Sequence, residues 1–201
     1  MKLIPLLTVI SLAASLNAAP IEFDFKDPKG VNNVVFKTDA PLESINGVGT
    51  GVSGKITYDP ANPSALKGKI NLAVTSLHVP NPTMKEHLHG GDWLNASQHP
   101  DITFEIVSAS NVKTQGEVTT ADVIGKMTIK GTTKEIKVPA RITFLPGKMK
   151  ARQGKDGDLL VVRSQFIVKR SDYGINAGKG EEKVSDEIDL SLSLAGSAPK
   201  T

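Results

Sequence analysis

Past the first twenty residues, apolar and polar positions alternate with a period of two. Val48, Thr50, Val52, Ile56 and Tyr58 share one parity, and further runs follow at Ile70, Leu72 and Val74, at Ile102, Phe104 and Ile106, at Val123, Met127 and Ile129, at Ile136 and Val138, and at Phe166 and Val168. The C-terminal run VSDEIDLSLSLAG is the clearest. Val184, Ile188, Leu190, Leu192 and Leu194 fall on one side, and Lys183, Ser185, Glu187, Asp189, Ser191 and Ser193 on the other. A helix would scatter these residues around its circumference, whereas a half-buried strand sorts them to two faces. Turn signals at DPKG (27–30), DPANPS (59–64), LPGK (145–148) and GKDGD (154–158) separate the runs. The pattern predicts about eight strands at hairpin-like spacing, hence an antiparallel sandwich or barrel.

One segment departs from the alternation. In NPTMKEHLHGGDWL, residues 81–94, Thr83 and Glu86 have capping-box spacing and Gly90–Gly91 supply a stop, so a short helix is expected near residues 83–89.

The N-terminus reads differently again. MKLIPLLTVISLAASLNAAP has a basic start at Lys2, an apolar run from Leu3 to Leu16 and small residues at Ala18 and Ala19. This is the layout of a secretory signal peptide cleaved after Ala18. The competing reading, a membrane anchor, meets an apolar run shorter than the ~20 residues that span a bilayer. The expected organisation is therefore a signal peptide over residues 1–18 and a single domain over 19–201, placed in the periplasm. Losing residues 1–18 removes only Lys2 among the charged residues, so the formal net charge falls from +3 to +2. No basic stripe points to nucleic acid. The chain has no cysteine, so its stability rests on packing rather than disulfides, although an exported compartment would permit them.

The stretch GVGTGVSGKITY, from residue 47, satisfies the GxGxxG pattern and most of a phosphate-loop pattern. Both patterns need a helix directly after the glycines, because N–H groups at its start hold the phosphates. Here Lys55 leads into Ile-Thr-Tyr-Asp-Pro, a strand and a turn, and Ile56 stands where a magnesium-binding hydroxyl is required. Nucleotide binding is not expected. Gly47, Gly49 and Gly51 instead leave one face of a strand bare, which lets it coil and bend as barrel closure demands. Val48, Val52 and Ile56 would then face the interior.

Taken in order, several segments resemble the YceI-like family of exported lipid-binding proteins: GTGVSGKITYDP, HLHGGDWLNASQHPDITFE, GKMTIKGTTKEIKVP, VKRSDYGI and VSDEIDLSLSLAG. The resemblance runs from about residue 20 to 195. It implies an all-β fold, an eight-stranded antiparallel lipocalin-like barrel with the short helix inserted near 83–89. It also implies a long amphiphilic ligand, such as a polyisoprenoid quinone-like molecule or a fatty-acid derivative, held inside, with no other cofactor. A barrel of about eight strands has room for one slender ligand. Transient membrane contact and a homodimer are compatible with that role. Trp93 stands where the family commonly has Phe, and the His87-Leu88-His89 cluster carries one histidine more than the family pattern.

Trp93, Leu94, Phe104, Phe166 and Tyr173 are candidates for the wall or mouth of a cavity, with ordinary core packing as the competing role; His87 joins them. Arg170 shares parity with Phe166 and Val168, so its guanidinium should lie near the inward face, with Asp172 next on that face. A buried guanidinium needs partners. An ion pair with Asp172 or Glu187 would supply them, and so would a ligand head group. His78, His87, His89 and His99 leave open a metal-binding protein or metal-dependent enzyme as the alternative function, since imidazole ligates zinc and copper. Against it, His87 and His89 are two apart on a helix, where shared ligation needs a spacing of three or four. Asn95-Ala96-Ser97 matches a glycosylation sequon, read here as chance. Neither a nucleophile elbow nor a comparable catalytic context appears, so an enzyme is not expected.

Overall fold

The alternating runs form strands, and most keep their expected faces. In the computed structural model, which describes residues 19–200, eleven strand segments form one antiparallel sheet. They are β1 (Ile21–Asp24), β2 (Asn33–Asp39), β3 (Ser44–Gly49), β4 (Val52–Tyr58), β5 (Lys67–Ala73), β6 (Leu77–His78), β7 (Asp101–Gln115), β8 (Val118–Ile129), β9 (Thr132–Leu145), β10 (Gly157–Lys169) and β11 (Glu187–Pro199). The segments β1 with β2, β3 with β4, and β5 with β6 are successive halves of three interrupted strands. The eleven segments thus trace eight strand paths, and the sheet closes on itself because β11 pairs with both β1 and β2. The eight-stranded antiparallel barrel that the family resemblance implies, one of the two architectures the alternation allows, is the fold. The signal peptide assigned to residues 1–18 lies outside the described residues.

The break between β1 and β2 is held by polar groups that replace the missing ladder. Asn32, buried, donates to the carbonyls of Phe25 and Ala195 and accepts from the Ala195 N–H, so its amide acts as a strand residue across β11. Asp27 accepts N–H bonds from Lys29, Val31 and Asn32 and a two-pronged pair from Arg152 at 3.0 and 2.8 Å. Arg152 belongs to α2 (Met149–Gln153), a short helix that the alternation does not foreshadow. Burial works against ionising Asp27, but Arg152 and the three N–H groups outweigh it and lower its pKa from 3.8 to about 2. A lowered carboxyl pKa stabilises the fold above the unfolded value and stops doing so as pH falls through the folded one. Between pH 5 and pH 2 the chain should lose about 2 kcal/mol more unfolding free energy than Asp27→Asn, as read by urea denaturation at each pH. Parallel curves for the two proteins would show that Asp27 is not coupled to folding.

The strand containing the glycines turns the other way from the expected one. In β3 it is Gly47 and Gly49 that face inward: a Cβ on Gly47 would lie 2.1 Å from the Phe36 ring, and one on Gly49 would lie 2.9 Å from Leu77. Val48 takes the opposite face. The backbone then kinks, with the Val52 N–H donating to the Thr50 carbonyl, and the parity shifts by one residue. Val52, Ile56 and Tyr58 therefore point inward as expected, and Val48 does not. The glycines make room for the Phe36 ring. Gly125 on β8 does the same for Phe104.

The barrel is filled at one end. Phe23 and Phe25 are fully buried with Ile142, Leu160 and Leu194; Phe144 packs edge-on against Phe23 at 6.2 Å and tilted against Tyr58 at 6.1 Å. Tyr58 and Thr119 share a hydrogen bond of 3.0 Å within this layer. Along β11, Leu194 belongs to this plug, while Leu192, Leu190 and Ile188 face a space toward the other end.

Candidate functional site

That space is a cavity of about 350 Å³, within the usual range for small-molecule sites. Its wall follows from the alternation. Val34 and Phe36 come from β2, Phe104 from β7, Met127 and Ile129 from β8, and Phe166 and Val168 from β10, joined by the three β11 residues. All project from one face of a closed sheet and meet almost only carbon. Tyr173 and Ile175, from the loop after β10, close the same end.

One side of this end is built by α1 (Pro82–His89) and the turns after it. The helix is capped by Asn81, whose Oδ1 accepts the Met84 N–H at 3.1 Å, with Pro82 in its first turn. Thr83, expected as the cap, lies one residue inside the helix, because Asn81 is the residue whose extended backbone and side-chain oxygen meet the first free N–H groups. Met84, His87 and Leu88 reach the cavity from this helix, and Trp93 and Leu94 from the turn that follows. Only Val48 and Gly49 of β3 pair with β6, so the Ser44–Gly47 edge faces α1 across an opening. Glu43, Ile45, Val79 and Met84 line both the cavity and a surface groove on the outer side of that opening.

Seven of the eight candidate residues lie on this wall: His87, Trp93, Leu94, Phe104, Phe166, Arg170 and Tyr173. Asp172 does not; it is exposed in the turn Arg170–Tyr173 that follows β10. The strand ends at Lys169, so parity no longer governs the residues beyond it.

Arg170 is 3% exposed, and its partners correct the expected ion pair. Nε donates to the Ser185 carbonyl, Nη1 to those of Ile175 and Asn176, and Nη2 to those of Lys179 and Val184. A guanidinium has five N–H donors, and all five are used on backbone oxygens of the loop between Tyr173 and β11. Neither Asp172 nor Glu187 bonds to it among the described residues. The nearby carboxylate is Asp186, which accepts from the Ser171 N–H and hydroxyl. Burial opposes its ionisation, but the Ser171 bonds and the charges of Arg170 and Lys169 hold its pKa below the usual value. The Arg170 guanidinium also lies 5.9 Å from the centre of the Trp93 ring, a cation–π distance. It thereby fastens the loop to the segment after α1.

Thr38 also lines the cavity and was absent from the sequence candidates, although it continues the alternation of Val34 and Phe36 along β2. Glu43, Ile175 and Lys183 belong to loops whose convergence has no local signal.

The four histidines do not converge. His89 Nε2 lies 3.0 Å from the Leu77 carbonyl, His99 packs against Gly131, and His78 and His87 are exposed. Among the described residues no group of three or more His, Asp or Glu side chains is arranged to hold a metal ion. No helix among them is long and apolar enough to cross a membrane.

Residues 27–195 match a family model described as a YceI-like domain. A UPF0312 protein of Pseudomonas aeruginosa (strain LESB58) is 32% identical over 146 residues, which cover 71% of this chain and 69% of that one. The crystal structure of a Campylobacter jejuni YCEI protein aligns with a TM-score of 0.63 and 25% identity, covering 77% of this chain and 85% of its own. A polyisoprenoid binding domain from Saccharophagus degradans, implicated in plant cell wall breakdown, aligns with a TM-score of 0.65 over 89% of this chain and 99% of its own. At 11% identity this last match is a likeness of fold.

Proposed function

Because this chain belongs to the YceI-like domain family, we propose that it is an exported, periplasmic carrier that sequesters a long-chain amphiphilic lipid, an isoprenoid or a fatty-chain derivative, in the barrel cavity. The observation that carries this reading is the wall itself: side chains from β2, β7, β8, β10 and β11 converge on a space of about 350 Å³ that is almost wholly apolar. Burying hydrocarbon there is the driving force. At ~0.8 kcal/mol per methylene, a ten-carbon stretch contributes about 8 kcal/mol before the cost of immobilising it. The name of the Saccharophagus degradans domain, which shares the fold, supports an isoprenoid as the class to test first. A binding role, not a catalytic one, fits a wall with so few polar groups.

The opening between β3 and α1 is the proposed route for the chain, since the cavity and the outer groove share its four lining residues. Leu42, 66% exposed at the β2–β3 turn beside Glu43, offers an apolar contact to a membrane during exchange.

The test is to purify the full-length product from its native compartment, extract it with organic solvent and identify what is released by mass spectrometry. A stoichiometric lipid is expected. Repeated preparations that yield none, together with no uptake of added C15–C20 isoprenoids, would sink the carrier reading.

A further inference from the structure

Resting on that carrier reading, we propose that the cavity selects amphiphiles whose head group is uncharged, an alcohol, amide or carbonyl, and that the hydroxyls of Tyr173 and Thr38 are the groups that hold it. Among the described residues, Thr38 Oγ1 and Tyr173 OH are the buried side-chain polar atoms without a hydrogen-bond partner, and both residues line the cavity. Tyr173 is 2% exposed and Thr38 4%. Buried polar groups are normally satisfied, as Tyr58, Thr119 and Asn32 are elsewhere in this fold. Thr38 and Tyr173 also lie at one end of the β10–β11–β2 ladder. Thr38 follows Lys37, the partner of Asp189, and Tyr173 closes the turn after Lys169, the partner of Glu187.

The surrounding charges argue against an anionic head. Arg170, the buried cation of the wall, has every N–H donor committed to a backbone carbonyl. Lys183 and His87 border the cavity from exposed positions, and the Glu43 carboxylate shares the rim with them. A carboxylate or phosphate drawn in to the two hydroxyls would lose its water with no free N–H of Arg170 to bond it in return, which is costly. Burial, with the Asp172 charge adding to it, pushes the Tyr173 hydroxyl up to about 12. It therefore stays neutral, able to donate one hydrogen bond and accept others.

The experiment compares three C18 probes at pH 8: the alcohol, the carboxylate of the same chain, and the alkene that lacks a head group. The chain has one tryptophan, Trp93, and it lines the cavity, so its fluorescence reports binding. The alcohol should bind about tenfold tighter than the carboxylate. Tyr173→Phe and Thr38→Val should each weaken the alcohol by about five- to tenfold and leave the alkene unchanged. Both ligand-free variants should melt no lower than the original chain, because each substitution removes an unpaired hydroxyl. A carboxylate that binds as tightly as the alcohol, or variants that hold the alcohol unchanged, would overturn head-group selection while leaving the carrier intact. Failure of all three probes, the alkene included, would bring down the carrier reading and this inference with it.

Discussion

Replacing Arg170 by alanine should lower the unfolding free energy by about 3 to 5 kcal/mol, the largest stability loss expected from any substitution near the cavity. One side chain satisfies the carbonyls of Ile175, Asn176, Lys179, Val184 and Ser185, and all five lose their partner together. The loop they belong to carries Lys183 and Val184 to the cavity, and the guanidinium also lies over the Trp93 ring at cation–π distance. Lysine does not rescue the arrangement, because one ammonium with three donors cannot span oxygens set around a planar fork. Urea unfolding of Arg170→Ala and Arg170→Lys measures the effect, with Trp93 fluorescence shifting as the cation over its ring is lost. A loss below about 1 kcal/mol in both would mean the loop holds itself and the guanidinium is incidental.

Leu190→Trp should abolish lipid retention while leaving the barrel folded. Leu190 lies near the start of β11, opposite Phe166 on β10 and Phe36 on β2, and all three line the cavity. A larger ring there extends into the space the hydrocarbon would occupy, so the burial of several methylenes, at ~0.8 kcal/mol each, is lost to the ligand. The same change at Leu160, fully buried in the plugged end, has no space to enter and should cost about 1 to 3 kcal/mol through overpacking. Solvent extraction of the purified variants reads the first effect and thermal melting the second. Full lipid retention by Leu190→Trp would place the ligand elsewhere.

Most of the fold is legible in the chain. Strand side chains alternate by backbone geometry alone, so Ile102 and Phe104, Met127 and Ile129, Phe166 and Val168, and Ile188 to Leu194 announce their inward faces without reference to any neighbour. The exclusion of a phosphate loop is local in the same sense, since it needs only the strand-forming residues after Lys55. Where the structure departs from the alternation, something non-local intervenes. Val48 faces away from the interior because the backbone kinks at Thr50–Gly51 and Phe36, from the adjacent strand, needs the surface of Gly47. The cap of α1 moved to Asn81 because Asn81 and Thr83 are both acceptable caps by type and backbone geometry chose between them.

Alternation along the chain dictates antiparallel strands with one apolar face, because period-two burial depends only on each residue and its immediate neighbours, and it leaves a sandwich and a barrel equally open until β11 pairs with β1 and β2. Tertiary structure alone decided that the barrel is plugged by Phe23, Phe25 and Leu160 at one end and open around Phe36, Phe104 and Leu190 at the other. It also decided that Arg170 gives its donors to the loop and that the Tyr173 and Thr38 hydroxyls lie on the cavity wall without a hydrogen-bond partner among the described residues. Both outcomes depend on atoms brought together from distant parts of the chain: free volume is what remains after all strands have packed, and a hydrogen-bond partner is chosen by distance in space.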